Sequence, residues 1–118
     1  MDPGKLYLAL QVADLNRSLA FYRQLGFEPD PRQGGIEQKW LLLHCKDMTL
    51  ALFQDMFPRD MLVFESDHVR ELYRDLQAKG LSIDVAVNIE GHSGACHFAL
   101  LDPDGHPLLF DQREKKSS

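Results

Sequence analysis

The chain has 118 residues, of which 44% are hydrophobic and 26% are charged, and its formal net charge is −5. This size and composition fit one compact globular domain over 1–118, and the negative charge argues against a nucleic-acid-binding protein. No stretch approaches the roughly 18 apolar residues of a membrane span and the N-terminus lacks a secretory signal, so we expect a cytoplasmic protein that does not bind membranes.

The first half of the chain predicts one helix among several strands. Residues 6–12 alternate between apolar and mixed side chains, which is typical of a strand with one face packed on helices. Asp14 is a typical N-cap residue and Gly26 a typical residue after a helix, so the apolar spacing between them predicts a helix over 15–25. The pattern then predicts a short strand over 27–30, a loop over 31–35, and a hairpin of strands 37–45 and 48–53.

The second half predicts the same order of elements. Residues 61–65 form an apolar run typical of a strand, and residues 66–68 precede an amphipathic helix that Lys79 and Gly80 close. A strand over 81–88 and a Gly-rich loop over 90–94 follow. The closing hairpin has two apolar strands around Asp102-Pro-Asp-Gly105, in which the proline presets φ and the glycine accepts a positive φ.

The two halves are an internal repeat. Leu8 aligns with Leu62, Leu15 with Val69, and Gly26 with Gly80, each at an offset of 54 residues. Each half predicts a βαβββ module, one over about 5–55 and one over about 60–112, with a polar tail over 113–118. Four strands and one helix are too few to bury a core alone, so we expect the two modules to share one. The sheet faces opposite the helices then suit a small-molecule site.

Four sequence features resemble one known superfamily. They are Val12-Ala-Asp-Leu15, Ser18-Leu-Ala-Phe-Tyr22 followed by Leu25-Gly-Phe27, Ala78-Lys-Gly80, and Asp102-Pro-Asp-Gly105. Together they are similar to the vicinal oxygen chelate superfamily, which includes glyoxalase I, bleomycin-resistance proteins and extradiol dioxygenases. The resemblance extends from Leu6 to Gln112. It implies an α+β fold in which two βαβββ modules form a half-open, barrel-like cleft with the helices outside, and a homodimer.

The resemblance also bears on a metal site. The superfamily's metal enzymes hold a divalent ion with His, Gln or Glu side chains that face the cleft. The matching positions here carry Tyr7, Met61, Ala51 (or Leu52 if the register shifts by one) and Leu109. Divalent cations of this kind need oxygen or nitrogen donors, which a thioether and aliphatic side chains do not offer, and one tyrosine does not hold the ion. We therefore expect no metal and no other cofactor.

Other candidate residues leave alternatives open. His92, Cys96 and His97 lie close together and suggest a metal site, but alternation puts Cys96 and His97 on opposite faces of a strand. The two cysteines are too few for a disulfide framework and are expected to be reduced. His44 and His97 are expected to face the cleft, either as ligand-binding residues or as histidines whose hydrogen bonds are satisfied internally. A pair of Glu65 with a histidine is either an acid–base unit or an ion pair.

The leading hypothesis is metal-free binding of a small, partly apolar organic molecule, as in bleomycin-resistance proteins. The predicted ligand-binding residues are Tyr7, Gln11, Trp40, His44, Met61, Glu65, His97 and Leu109. One alternative is a glyoxalase-related lyase or isomerase that uses His44, His97 and Glu65 instead of a metal. The other is a dimeric structural module with no ligand.

Overall fold

The computed structural model describes residues 2–113, so of the predicted tail over 113–118 only Arg113 lies among the described residues. The helices and strands follow one another along the chain in the order of two βαβββ repeats. The elements are β1 (Lys5–Gln11), α1 (Leu15–Gln24), β2 (Glu28–Gly35), β3 (Trp40–Cys45), β4 (Met48–Phe53), β5 (Met61–Glu65), α2 (Val69–Ala78), β6 (Val85–Val87), β7 (Cys96–Leu101) and β8 (Pro107–Gln112). The predicted α+β class and the repeated βαβββ order are confirmed.

The described chain divides into two compact units. The first unit comprises residues 7–61, and the second unit comprises residues 62–113 together with 2–6. Neither helix of the described part has the length and apolarity needed to cross a lipid bilayer.

In the first unit the strands lie in the order β2-β3-β4-β1. The β3 and β4 strands form an antiparallel hairpin, and β1 runs parallel to β4 with Leu10 opposite Leu52. The α1 helix begins after Asp14, whose carboxylate accepts a hydrogen bond from the Arg17 N–H at 3.2 Å. The helix buries Leu15 and Leu19 against one face of the sheet, where Leu41, Leu43 and Leu52 form the core of this unit.

The second unit repeats this arrangement with the strand order β5-β8-β7-β6. The helix α2 buries Val69 and Leu72 against one face of the sheet. Phe98 and Phe110 stack there with ring centroids 4.6 Å apart. The closing hairpin turns as predicted, because the Gly105 N–H donates to the Asp102 carbonyl at 2.9 Å and Gly105 has a φ of 85°.

One predicted loop is wrong. Residues 31–35 lie in β2, and Gly34 and Gly35 pair with β3 after a shift of register between Pro29 and Gly34. Gly34 passes close to the partner strand, since a Cβ at this position would lie 2.6 Å from the Trp40 carbonyl oxygen. Gly34 and Gly35 permit a bulge in the strand. The same two glycines indicate a loop in the sequence pattern.

Two predicted strands are too long. The strand expected over 37–45 begins only at Trp40, because residues 36–39 form a turn. A strand was expected over 81–88, but β6 covers only Val85–Val87 and residues 81–84 are not part of it. The Leu81 N–H donates to the Leu76 carbonyl at 3.1 Å, so the first part of this segment completes the end of α2. Alternation of apolar residues alone does not separate such a return segment from a strand.

Candidate functional site

The face of the second unit opposite α2 combines an apolar row with a charged row. Strand register places Val85 beside Ala99, Ala99 beside Leu109, and Leu109 beside Val63. These four residues form the apolar row. Two residues away on each strand, the same register places Val87, His97, Asp111 and Glu65 side by side, and these form the charged row. Because side chains alternate between faces, both rows point away from the core formed with α2. We call this surface the second-unit face.

The charged row is organised by Arg113. Its guanidinium lies 3.7 Å from a carboxylate oxygen of Glu65 and 3.7 Å from a carboxylate oxygen of Asp111. All three side chains are partly buried. Burial raises the pKa of the Asp111 carboxyl, and the negative charge of Glu65 adds to this effect, whereas Arg113 and His97 oppose it. Asp111 therefore holds a proton more readily than an exposed aspartate does, next to an imidazole.

Most side chains of the apolar row are partly accessible on the second-unit face. Val85 is 49% exposed and Ala99 and Leu109 are half-buried, whereas Val63 is buried. Aliphatic side chains that remain accessible beside ionisable groups suit a molecule with an apolar body and one polar group. The geometry thus offers both desolvation and orientation of a small organic molecule.

Three predicted site residues, Glu65, His97 and Leu109, lie on the second-unit face. Met61 is the last residue of the first unit and the first residue of β5. Cys96, by contrast, is buried in the core with Phe98. The predicted separation of Cys96 and His97 onto opposite faces is therefore confirmed.

The other four predicted site residues lie in the first unit. Trp40 and His44 alternate with the core residues Leu41 and Leu43, so they point away from α1. Tyr7 is 6% exposed. The exposed Gln11 donates its backbone N–H to the Asp60 carboxylate at 2.8 Å.

His44 belongs to a hydrogen-bonded cluster. Its Nε2 lies 3.0 Å from a carboxylate oxygen of Asp30, and its Nδ1 lies 3.2 Å from the hydroxyl oxygen of Thr49. The Asp30 side chain is only 1% exposed, and it accepts two hydrogen bonds from the Arg32 guanidinium and one from the Arg32 backbone N–H. These contacts hold the pKa of the Asp30 carboxyl well below its usual range.

The positions matched to the superfamily's metal ligands do not fit a metal. Ala51 pairs with Ala9 and Leu42 away from the α1 core, which favours Ala51 over the core residue Leu52 as the matching position. With Tyr7, Met61 and Leu109, the four positions offer a single oxygen donor, on a phenol. Among residues 2–113 no group of three His, Cys, Asp or Glu side chains lies close enough together to hold an ion.

Sequence reasoning missed five residues of these clusters: Asp30, Arg32, Thr49, Asp111 and Arg113. Asp111 lies two residues beyond Leu109 on β8, so strand alternation puts both side chains on one face. Asp30 and Arg32 likewise stand two apart on β2. This spacing was the available signal for both clusters. The hydrogen bond from His44 to Asp30 depends on the pairing of β2 with β3, in which Glu28 lies opposite His44.

A polar groove of about 280 Å³ lies beside the N-terminal half of α2, away from the predicted site residues. The Arg70 side chain borders it and donates to three backbone carbonyls of the 88–94 loop, those of Asn88, Ser93 and Gly94, at 3.0 to 3.4 Å. Arg70 therefore holds this loop against the helix.

Comparison with known proteins identifies a family. A family model described as Glyoxalase/Bleomycin resistance protein/Dioxygenase superfamily matches residues 6–110. No curated protein matches the sequence significantly.

Solved structures share the fold at low sequence identity. NAD-dependent benzaldehyde dehydrogenase from Legionella pneumophila is 20% identical with a TM-score of 0.73, over 93% of this chain and 100% of that chain. Methylmalonyl-CoA epimerase from Mycobacterium tuberculosis is 14% identical with a TM-score of 0.68, over 92% of this chain and 87% of that one. A glyoxalase/bleomycin resistance protein/dioxygenase superfamily member from Vibrio splendidus 12B01 is 17% identical with a TM-score of 0.65, over 92% and 97%.

Proposed function

Because the chain belongs to the glyoxalase/bleomycin resistance protein/dioxygenase superfamily, we propose that it binds a small, partly apolar organic molecule on the second-unit face without a metal. The observation that carries this proposal is the apolar row, from Val85 to Leu109, directly beside the charged row of His97, Asp111 and Glu65. The residues predicted in the first unit, and the homodimer, stay predictions.

The division of roles follows from the chemistry of the two rows. Each 100 Å² of ligand hydrocarbon covered by Val85, Ala99 and Leu109 contributes roughly 2.5 kcal/mol before the cost of association. Hydrogen bonds to His97 and Asp111 add less net free energy but fix the orientation of the ligand, because an unpaired polar group at a covered face is costly.

The test is a binding screen by protein NMR with a library of small aromatic and aliphatic compounds. We expect chemical-shift changes to cluster on Val85, Ala99, His97 and Leu109. The variant Val85→Ser should weaken binding of the best compound about three- to tenfold through lost apolar contact. Leu81→Ser is the matched control, since Leu81 is 45% exposed in the same unit. Chemical-shift changes confined to other surfaces, or an equal loss of affinity in both variants, would contradict binding on the second-unit face.

A second candidate function is an acid–base lyase or isomerase. It is favoured by one observation, the raised pKa of Asp111 in direct register with His97, which suits a proton transfer to and from carbon. The test is uptake of deuterium from heavy water into small carbonyl compounds. Uptake catalysed by the unmodified protein and lost in Asp111→Asn supports this function, and no uptake across a diverse set of carbonyl compounds argues against it.

A further inference from the structure

We propose that Thr49, His44 and Asp30 form a nucleophilic relay in the first unit, in which the Thr49 hydroxyl takes an acyl group from an activated ester. The relay lies in a different unit from the second-unit face. It therefore stands or falls independently of the ligand proposed there.

The three side chains come from three adjacent strands. His44 on β3 is the direct cross-strand partner of Thr49 on β4, and β2 carries Asp30 past the other side of the ring. The imidazole thus stands between a hydroxyl 3.2 Å from Nδ1 and a carboxylate 3.0 Å from Nε2. Thr49 is the only threonine of the chain.

The negative charge of Asp30 determines which ring nitrogen of His44 carries the proton. Its carboxylate is buried and bonded to Arg32, and its lowered pKa keeps it ionised, so it only accepts hydrogen bonds. The Nε2 atom of His44 must therefore carry a proton and donate it to Asp30. In the neutral ring Nδ1 is then an acceptor, and the Thr49 hydroxyl donates to it. A hydroxyl that donates to an imidazole oriented by a buried carboxylate is an activated nucleophile.

The relay is accessible from one side. The His44 side chain is 36% exposed and Thr49 is half-buried, whereas Asp30 is covered. An ester can therefore approach the hydroxyl while the orienting carboxylate stays out of contact with water. The hydrogen-bonded strands hold all three groups in place, so little reorganisation precedes the reaction.

The chemistry balances without any further reactant. The Thr49 oxygen forms a bond to the acyl carbon of an aryl ester, and the bond from that carbon to the aryl oxygen breaks. The hydroxyl proton passes to Nδ1 of His44 and from there to the departing aryl oxygen. Thr49 and His44 are the catalytic residues, and Asp30 is a positioning residue that holds the ring tautomer and stabilises the transient imidazolium. Water then releases the acid by the reverse proton route.

The experiment uses the full chain and p-nitrophenyl acetate, with nitrophenolate release and peptide mass spectrometry as readouts. We expect an acetyl group on Thr49, and acylation slowed roughly tenfold or more in Thr49→Val and His44→Gln. His106→Gln is the matched control, because His106 also pairs with an aspartate, Asp102, at 2.8 Å but lies in an exposed turn. Asp30→Glu should retain acylation that Asp30→Asn loses, which separates positioning from a general structural role.

Several outcomes overturn the relay. One is acetylation of lysine or cysteine but not of Thr49, and another is labelling of Thr49 that persists in denaturant. A third is an unchanged rate in His44→Gln. If His44→Gln fails to fold by circular dichroism, Thr49→Ser decides the question. Its less hindered hydroxyl should be acylated at least as fast as threonine in the folded protein, and an unreactive serine there contradicts the proposal.

Discussion

The side-chain oxygen of Gln112 accepts a hydrogen bond from the backbone N–H of Val69, at 3.1 Å, where α2 begins. The first unit contains the same contact, since Gln54 accepts from the N–H of Leu15 at 2.9 Å where α1 begins. In each unit a glutamine at the end of the last strand, or directly after it, thus accepts from one of the free N–H groups at the start of the helix. The internal repeat extends to this detail of helix capping.

The two glutamine contacts should differ in strength. The α2 N-cap, His68, makes no side-chain cap hydrogen bond, whereas Asp14 caps α1. We predict that Gln112→Met lowers the free energy of unfolding by about 1 kcal/mol and that Gln54→Met lowers it by less, because Asp14 still satisfies the first turn of α1. Urea unfolding measures both, with the exposed Gln24→Met as control. A larger loss in Gln54→Met than in Gln112→Met would contradict this account.

The buried Asp30 should make stability depend on acid pH. Its folded-state pKa is lowered, chiefly by the Arg32 side chain, so its contribution to stability is present above the unfolded-state pKa of about 3.9 and is lost as pH falls through the folded value. We predict that Asp30→Asn lowers the free energy of unfolding at pH 7 by roughly 1.5–3 kcal/mol. The difference from the unmodified protein should shrink in strong acid, whereas a constant difference across pH would be the contrary result. The exposed Asp47→Asn is the control.

Asp111 should behave in the opposite way. Its pKa is raised mainly by burial, so the cost of ionising it in the folded protein is absent below the unfolded-state pKa and appears as pH rises through the folded value. We predict that Asp111→Asn increases the free energy of unfolding at pH 7 and gives no increase in acid, below about pH 4. Chemical unfolding at the two pH values measures this. A loss of stability at pH 7 would show that the contact with Arg113 outweighs burial.

Arg70 should control the loop beside α2. Its guanidinium donates to the carbonyls of Asn88, Ser93 and Gly94, and charge-assisted contacts of this kind are stronger than neutral ones. We predict that Arg70→Met speeds amide hydrogen exchange across residues 88–95 several-fold and leaves the β7–β8 hairpin unchanged. The exposed Arg74→Met, on the same helix, is the control. An unchanged rate of amide exchange in the loop would show that its conformation does not depend on Arg70.

Much of the fold could be predicted, because apolar residues recur with a period of two along the strands and with helical spacing along the helices. Alternation along β7 correctly predicted that Cys96 and His97 lie on opposite faces, and the turn at Asp102 formed as its residues indicate. The clusters could not be predicted in the same way. The pKa of Asp111 depends on how far it is buried, and the contact of Asp30 with His44 depends on the register in which β2 pairs with β3. Local sequence carries neither burial nor the register of distant strands.

The central proposal is binding of an organic molecule without a metal, and one titration tests it most directly. The best compound from the screen is titrated into protein treated with a chelator, and again after addition of Zn²⁺ or Mn²⁺, with metal content checked by elemental analysis. Because Tyr7, Ala51, Met61 and Leu109 offer one oxygen donor among them, we predict the same Kd in both titrations and no stoichiometric metal. Binding that appears only with the added ion, or tightens tenfold or more, would contradict the account.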